Sequence, residues 1–129
     1  MAGVYFSLKE VVNLKSKLLF MNYFTTLNES EPKEIIPGFF ARFLHTENIS
    51  IVFWEAKAGS TFPEHSHIHE QIATIQEGKF QLTINGETKI LEEGVVAVIP
   101  SNAKHSGIAL TDCKLMDVFY PVREDYRHR

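Results

Sequence analysis

From residue 38 onward, short runs rich in Val, Ile, Phe and Thr alternate with turn signals, and no helical period interrupts them. Residues 49–55 and 71–75 are each followed by a glycine-containing turn. The pair Asn85-Gly86 separates two runs of alternating polarity and strongly indicates a β-hairpin. Two further runs, 95–99 and 115–120, each end at a proline. We therefore expect about eight short strands in an antiparallel sandwich or small barrel, a set that includes jelly rolls.

The composition suits one globular domain and argues against several classes of partner. The chain has 129 residues, 44% of them hydrophobic, and a formal net charge of −3. It has no Lys/Arg block that would neutralise a row of phosphates, so we expect no nucleic-acid partner.

Cys113 is the single cysteine, so no internal disulfide forms and the chain is compatible with a reducing compartment. Apolar runs fall far below the roughly 20 residues needed to span a bilayer, and no signal-peptide pattern is present. We expect a cytoplasmic protein without membrane contact.

The N-terminal part has a different character from the rest of the chain. Residues 1–20 mix Leu, Val and Lys at loosely helical spacing, which predicts a terminal helix or an ill-ordered extension. Met21 is an alternative start of the chain. Residues 28–38 are rich in turn formers and predict a loop that leads into the first strand. We therefore divide the chain into an extension with its lead-in loop, 1–37, and a single β-barrel domain, 38–129.

A cluster of histidines is the clearest sign of chemistry. His65, His67 and His69 lie within five residues and are followed by Gln71. Side chains two positions apart on a strand face the same side, so His65 and His67 can converge on one metal ion. A third ligand must come from elsewhere, and His105, after Pro100, is the candidate. The alternative is a solvated, histidine-rich loop. We assign no role to the other three histidines: His69 is expected in a loop, His45 in a strand and His128 in the charged tail.

The spacing of these residues resembles the two motifs of the cupin superfamily. The first cupin motif reads Gly-x5-His-x-His-x3-4-Glu-x6-Gly, and the second reads Gly-x5-Pro-x-Gly-x2-His-x3-Asn. The matching residues are Gly59, His65, His67 and Gly78 in the first motif and Gly94, Pro100 and His105 in the second. The resemblance covers roughly residues 38–123.

Three positions depart from the cupin pattern. Gln71 replaces the usual glutamate ligand, as in a subset of small cupins. Asn102 replaces a glycine, and Asn is the residue other than glycine that most readily adopts positive φ. Ala109 replaces an asparagine that does not bind metal. None of the three departures removes a histidine ligand.

The resemblance implies an all-β cupin double-stranded β-helix, a jelly-roll barrel with a short N-terminal extension. It also implies one divalent transition metal, Zn, Ni, Mn or Fe, held by His65, His67, Gln71 and His105. These ligands are neutral, so the charge of the ion stays uncompensated and favours a small anionic substrate. Small cupins are usually homodimers, and we expect the same here.

The last predicted strand carries a carboxylate among apolar neighbours. Leu115, Asp117 and Phe119 share one face of residues 115–120, and apolar side chains flank Asp117 on both faces. An ionised carboxylate in that position needs a partner, and Arg123 is the candidate. From the pattern alone, an Asp117–Arg123 pair is as compatible with a structural role as with a functional one.

The C-terminal segment resembles the pectin-degradation cupins, which convert 4,5-unsaturated uronates to open-chain keto forms. In that family an Asp-x-Phe-x3-Arg set lines the pocket beside the metal, and Asp117, Phe119 and Arg123 match it. The resemblance implies a metal-dependent, isomerase-like tautomerisation and ring opening of unsaturated uronates in pectin or alginate breakdown. The alternatives are a cupin-type metal-dependent dioxygenase and a non-enzymatic sugar-binding cupin.

Overall fold

The computed structural model describes residues 7–10 and 23–129. Within these ranges the chain is almost entirely β-structure, preceded by a short 3-10 turn at Leu27–Glu29. The strands are β1 (Lys33–Ile36), β2 (Phe39–His45), β3 (Ser50–Ala56), β4 (Thr61–His65), β5 (Glu70–Glu77), β6 (Phe80–Ile84), β7 (Glu87–Leu91), β8 (Val96–Ile99), β9 (His105–Ala109) and β10 (Cys113–Tyr120). The all-β prediction is confirmed.

The strands form two antiparallel sheets. The large sheet has the order β1-β2-β3-β10-β5-β8, and the small sheet has the order β4-β9-β6-β7. The chain passes from one sheet to the other after β3, β4, β5, β7, β8 and β9, so the two sheets are built from interleaved segments. This connectivity is the jelly roll that the cupin resemblance implies.

An aromatic cluster joins the inner faces of the two sheets. Phe39, which is 2% exposed, contacts the rings of Trp54, Phe62 and Phe80 edge-on, with centroids 5.2 to 6.2 Å apart. Phe39 and Trp54 come from the large sheet, whereas Phe62 and Phe80 come from the small one. Each such pair contributes about 0.5–1.5 kcal/mol beyond the burial of its area. The cluster therefore helps to hold the two sheets together.

Two turns have the backbone conformations that their residues favour. Asn85 and Gly86 have φ angles of 47° and 82°, and they connect the paired strands β6 and β7. The hairpin prediction is confirmed. Asn102, at the position of the cupin glycine, has a φ of 65°, so this substitution preserves the turn.

The predicted lead-in loop contains a strand that the sequence analysis did not identify. Lys33–Ile36 forms β1, which pairs with β2 at the edge of the large sheet. Its first two residues are exposed and Pro32 and Pro37 flank it, so the segment has the composition of a loop. An exposed edge strand of this kind shows little alternation of hydrophobic and polar residues, so its sequence does not distinguish it from a loop.

The predicted N-terminal helix or extension lies mostly outside the described residues. Residues 8–10 are helical, and Ser7 and Glu10 exchange hydrogen bonds between side chain and backbone. The boundary proposed at residue 38 stays a prediction. In the part of the chain that the structure describes, no helix has the length and hydrophobicity needed to cross a bilayer.

Candidate metal centre and pocket

Three histidines meet at one end of the barrel. His65 is the last residue of β4 and His105 is the first of β9, and the strand register pairs them directly. His67 lies in the loop that connects β4 to β5. The prediction that His65 and His67 share one face of a strand is therefore wrong, and the loop brings His67 to the cluster. The ligand nitrogens of the three side chains all lie within 4.8 Å of one another. They are thus close enough to hold one metal ion together.

Backbone carbonyls orient all three imidazole rings. In each case Nδ1 lies at hydrogen-bond distance from a carbonyl oxygen, to which its N–H donates. The pairs are His65 with Pro63 at 2.8 Å, His67 with His69 at 3.1 Å and His105 with Ala103 at 2.8 Å. An imidazole with its proton on Nδ1 has a free lone pair on Nε2. This second layer of hydrogen bonds is typical of histidines that bind a metal through Nε2.

Burial and protonation also fit a metal ligand set. His105 is 4% exposed, and its Nε2 atom is buried without a hydrogen-bond partner. A buried polar atom without a partner is costly, and a bound ion would remove that cost. Burial lowers the pKa of His67 to about 4 and also lowers the pKa of His105. Both rings are therefore neutral near pH 7, as coordination requires.

Gln71 completes the candidate ligand set. It lies in β5, is 7% exposed, and its Oε1 atom is 3.1 Å from Nε2 of His67. Two ligand atoms bound to one ion at about 2.1 Å lie about 3 Å apart. The amide oxygen thus stands at a suitable distance to serve beside His67 as a fourth ligand.

Asp117 is buried beside this cluster and is held by Trp54. Its Oδ2 atom accepts a hydrogen bond of 3.0 Å from Nε1 of Trp54, and its side chain faces the interior from β10. Burial raises the pKa of Asp117 to about 6, while hydrogen bonds from Gln71 and Trp54 and the positive charge of Arg123 oppose that rise. The carboxyl group therefore titrates much closer to neutrality than an exposed aspartate does.

Arg123 pairs with a different carboxylate from the one predicted. Its Nε and Nη2 atoms donate to the two carboxylate oxygens of Asp125, at 2.9 and 2.7 Å. The expected Asp117–Arg123 ion pair is therefore wrong. Asp125 is only two residues away in the same C-terminal turn, whereas Asp117 is already bonded to Trp54 on the neighbouring strand.

The predicted catalytic residues line one cavity with the candidate ligands. This cavity has a volume of about 50 Å³ and lies between the two sheets. Asp117, Phe119 and Arg123 contribute to its wall, as do His65, Gln71 and His105. His67 contacts the same region through the ring of Phe119, with centroids 5.5 Å apart. The structure thus brings together all seven residues that the sequence analysis selected.

Other residues of the site were missed by the sequence analysis. Trp54 and Tyr126 line the cavity, and Asp125 and Ser50 bind Arg123 from outside it. In the sequence, Trp54 is one apolar residue of a strand and Asp125 is one acid of a charged tail. His69 lies in the loop between β4 and β5, as predicted, although its ring is half-buried and stands 6.4 Å from that of Phe119.

Comparison with known proteins identifies the family. The family model of the cupin domain matches residues 52–119, a range that contains all four candidate metal ligands. The chain belongs to the cupin domain family. Among the relatives of this cupin, the pectin degradation protein KdgF of Dickeya dadantii is 35% identical over 72 residues. Those residues make up 55% of this chain, and they span 66% of the length of that relative.

Solved structures of similar proteins share the fold over nearly their whole length. KdgF from a Halomonas species superposes on this cupin with a TM-score of 0.77 at 28% sequence identity, covering 81% of this chain and 98% of that one. An RmlC-like cupin from Shewanella frigidimarina gives a TM-score of 0.78 at 26% identity, covering 82% and 96%. The cupin jelly roll inferred from the motifs is thus confirmed.

Proposed function

We propose that this cupin is a metal-dependent enzyme that promotes ketonisation and ring opening of 4,5-unsaturated uronate sugars in pectin or alginate breakdown. The observation that carries the proposal is one cavity lined by candidate metal ligands, the buried carboxyl of Asp117 and the guanidinium of Arg123. Similarity to KdgF, a protein named for pectin degradation, supports the choice of substrate.

One divalent transition metal, Zn, Ni, Mn or Fe, would be held by His65, His67, Gln71 and His105. When bound, the ion supplies Lewis-acid polarisation of a substrate oxygen. Three imidazoles and an amide bring no negative charge to the site. An anionic sugar is therefore favoured over a neutral one.

Asp117 is the residue to which we assign proton transfer. Ketonisation needs a proton added to the carbon of the double bond while the enol oxygen loses one. A general acid–base group works best with a pKa near the working pH, and burial raises the pKa of Asp117 to about 6. Trp54 donates to Oδ2, so the carboxyl has a fixed orientation beside the candidate metal ligands.

Arg123 and Phe119 orient the sugar in this proposal. The guanidinium of Arg123 lies 4.8 Å from the centre of the Phe119 ring, and both side chains line the cavity. A guanidinium binds a carboxylate with parallel hydrogen bonds, which fixes the direction of the uronate. The Phe119 ring provides an apolar wall beside the reacting atoms and limits the access of water.

The test follows the ultraviolet absorbance of the substrate double bond. Metal-loaded protein is mixed with lyase-generated unsaturated galacturonate, and the loss of absorbance is compared with the spontaneous rate. Asp117→Asn preserves the shape of the side chain but removes its acid–base chemistry, so we expect about a hundredfold loss of rate or more with unchanged metal content. Asp112→Asn, the same change at an exposed carboxyl outside the cavity, serves as the matched control and should retain the wild-type rate.

Full activity of Asp117→Asn would overturn the role of this residue. A wild-type rate equal to the blank, with the metal site filled, would overturn the reaction itself. Oxygen consumption with Fe(II) would then point to a dioxygenase, and calorimetric binding of sugars without turnover would point to a binding protein.

A further inference from the structure

The guanidinium of Arg123 is already paired along one edge. Its Nε and Nη2 atoms donate to Oδ1 and Oδ2 of Asp125 at 2.9 and 2.7 Å. A guanidinium carries five N–H donors, and this bidentate pair uses one on Nε and one on Nη2. Both donors on Nη1 and the second donor on Nη2 lie outside that pair. A second carboxylate can therefore bind the end of the same group without displacing Asp125.

The two partners of this ion pair differ in their surroundings. The side chain of Arg123 is 8% exposed, whereas that of Asp125 is 54% exposed. Arg123 lines the cavity, and Asp125 does not. The guanidinium also lies 4.8 Å from the ring centre of Phe119 and 4.1 Å from that of Tyr126. Asp125 thus holds an inward-facing cation from the solvent side, while two aromatic rings pack against it.

The backbone of Arg123 is fixed as well. Its N–H donates a hydrogen bond of 2.8 Å to Oγ of Ser50, which is fully buried at the start of β3. That hydroxyl is also 2.7 Å from Nδ1 of His45 at the end of β2. Because the backbone has this anchor, loss of the Asp125 contact should release the guanidinium without unfolding the turn.

We propose that Asp125 is a positioning residue that gives the pocket its preference for a carboxylate. By holding the Nε and Nη2 edge of Arg123, it aims the remaining donors at the cavity, where the uronate carboxylate binds. This inference rests on the proposed role of Arg123. The opposite possibility, that Asp125 competes with the ligand as an internal carboxylate, predicts an effect of opposite sign.

The test compares two sugars that differ only in the carboxylate. D-galacturonate and D-galactose are titrated calorimetrically into the metal-loaded full chain. For Asp125→Asn we expect galacturonate to bind about tenfold more weakly, or about 1.4 kcal/mol, with galactose binding unchanged. Glu124→Gln is the matched control, because this neighbouring acid pairs with Arg127 on the surface, and it should leave both affinities unchanged.

Two further measurements separate positioning from general damage. Asp125→Glu restores a carboxylate and should recover most of the lost affinity. With the unsaturated uronate as substrate, Asp125→Asn should raise KM while kcat stays near the wild-type value, because Asp117 and its partner Trp54 are untouched. Unchanged metal content and an unchanged thermal midpoint show that the variant is folded, and Asp125→Ser repeats the test if Asp125→Asn does not fold.

Each alternative outcome has a definite meaning. Unchanged galacturonate binding in Asp125→Asn would overturn the positioning role. Tighter galacturonate binding in Asp125→Asn would also overturn it, and would show that Asp125 competes with the ligand carboxylate for Arg123. A wild-type protein that binds galacturonate no better than galactose would overturn both this inference and the role of Arg123 on which it rests.

Discussion

At the scale of single residues, the environment of Asp117 shows how a buried carboxyl is stabilised. Leaving such a group without partners in an apolar interior is costly. Its donor, Trp54, is 63 positions away in the chain and lies on β3, the strand that pairs with β10. The bond holds the carboxyl in place and favours its ionised form, while burial opposes ionisation. We therefore expect Trp54 to contribute to stability and, under the proposed function, to the reaction rate.

Replacing Trp54 with Phe removes the indole donor but keeps an aromatic ring. We expect the unfolding free energy to fall by about 2 kcal/mol, because a buried carboxyl loses a hydrogen bond. The rate of ketonisation should fall as well, because Asp117 loses one of the two hydrogen bonds that hold it. Urea denaturation of Trp54→Phe, Asp117→Asn and the double variant measures the coupling free energy between the two side chains. Strict additivity of the two effects would contradict the proposed interaction.

His45 provides a prediction for pH dependence. Burial lowers the pKa of His45, and the positive charge of Arg127 lowers it further. A hydrogen bond to the Tyr126 backbone and the negative charges of Glu124 and Asp125 raise it, but the net shift is downward. The unfolded chain therefore binds a proton at His45 more readily than the folded one, so the contribution of this group to stability falls as the pH drops below about 6.5.

His45→Asn removes this titration. We expect wild-type protein to lose more unfolding free energy than the variant between pH 7.5 and pH 5, as measured by urea denaturation at each pH. Comparing the two proteins under identical conditions cancels the contributions of the other histidines. Parallel stability curves would show that His45 has no such effect.

At the scale of elements, a turn fastens the loop that carries His67. The N–H of Asn102 donates a hydrogen bond of 2.7 Å to the carbonyl of His67, and the hydroxyl of Ser101 donates to the carbonyl of Ile68. The turn connects β8 to β9, while the loop connects β4 to β5. The first bond depends on a turn in which Asn102 adopts positive φ. The backbone conformation of this turn thus helps to place a candidate ligand.

Asn102→Val puts a β-branched residue at this positive φ. We expect a loss of about 1–2 kcal/mol in unfolding free energy and weaker metal binding, because the loop with His67 loses its fixed position. Asn102→Gly accepts the same φ and is the matched control, which should keep wild-type metal affinity. Calorimetric titration with Ni²⁺ or Zn²⁺ measures the difference. Equal affinity in Asn102→Val would show that the loop is held by other contacts.

At the scale of the whole molecule, the candidate ligands come from both sheets. His65 and His105 belong to the small sheet, whereas Gln71 belongs to the large one. An ion bound by this set would connect the sheets at the end of the barrel where the cavity lies. Because the unfolded chain does not bring these ligands together, metal binding should stabilise the folded state.

Metal loading should therefore raise the stability of the protein, and chelation should reverse the effect. At a free metal concentration about 100 times Kd, the gain is about 2.7 kcal/mol. The thermal midpoint, measured by scanning calorimetry, should rise in wild type but not in His105→Ala. His69→Ala should keep the rise, since the variant retains the backbone carbonyl of His69 that orients His67. If metal raised the thermal midpoint of His105→Ala but not that of His69→Ala, the assigned ligand set would be contradicted.

Features that depend on neighbours along the chain could be predicted from the sequence. Runs of β-formers between turn residues predicted the β-barrel domain and the Asn85-Gly86 hairpin. The spacing around His65, His67 and His105 identified the cupin motifs and hence the jelly roll. Such features are accessible because strand alternation and turn conformation are local properties of the backbone.

The partners of the buried polar groups, and whether a weakly patterned segment forms a strand, depend on contacts made in the folded structure. Asp117 binds Trp54 and Arg123 binds Asp125, although the spacing of Asp117 and Arg123 suggested a pair. Residues 33–36 form β1 only because the edge of β2 is available to them. Sheet register and packing bring distant residues together, and these are properties of the whole fold that no local pattern in the sequence contains.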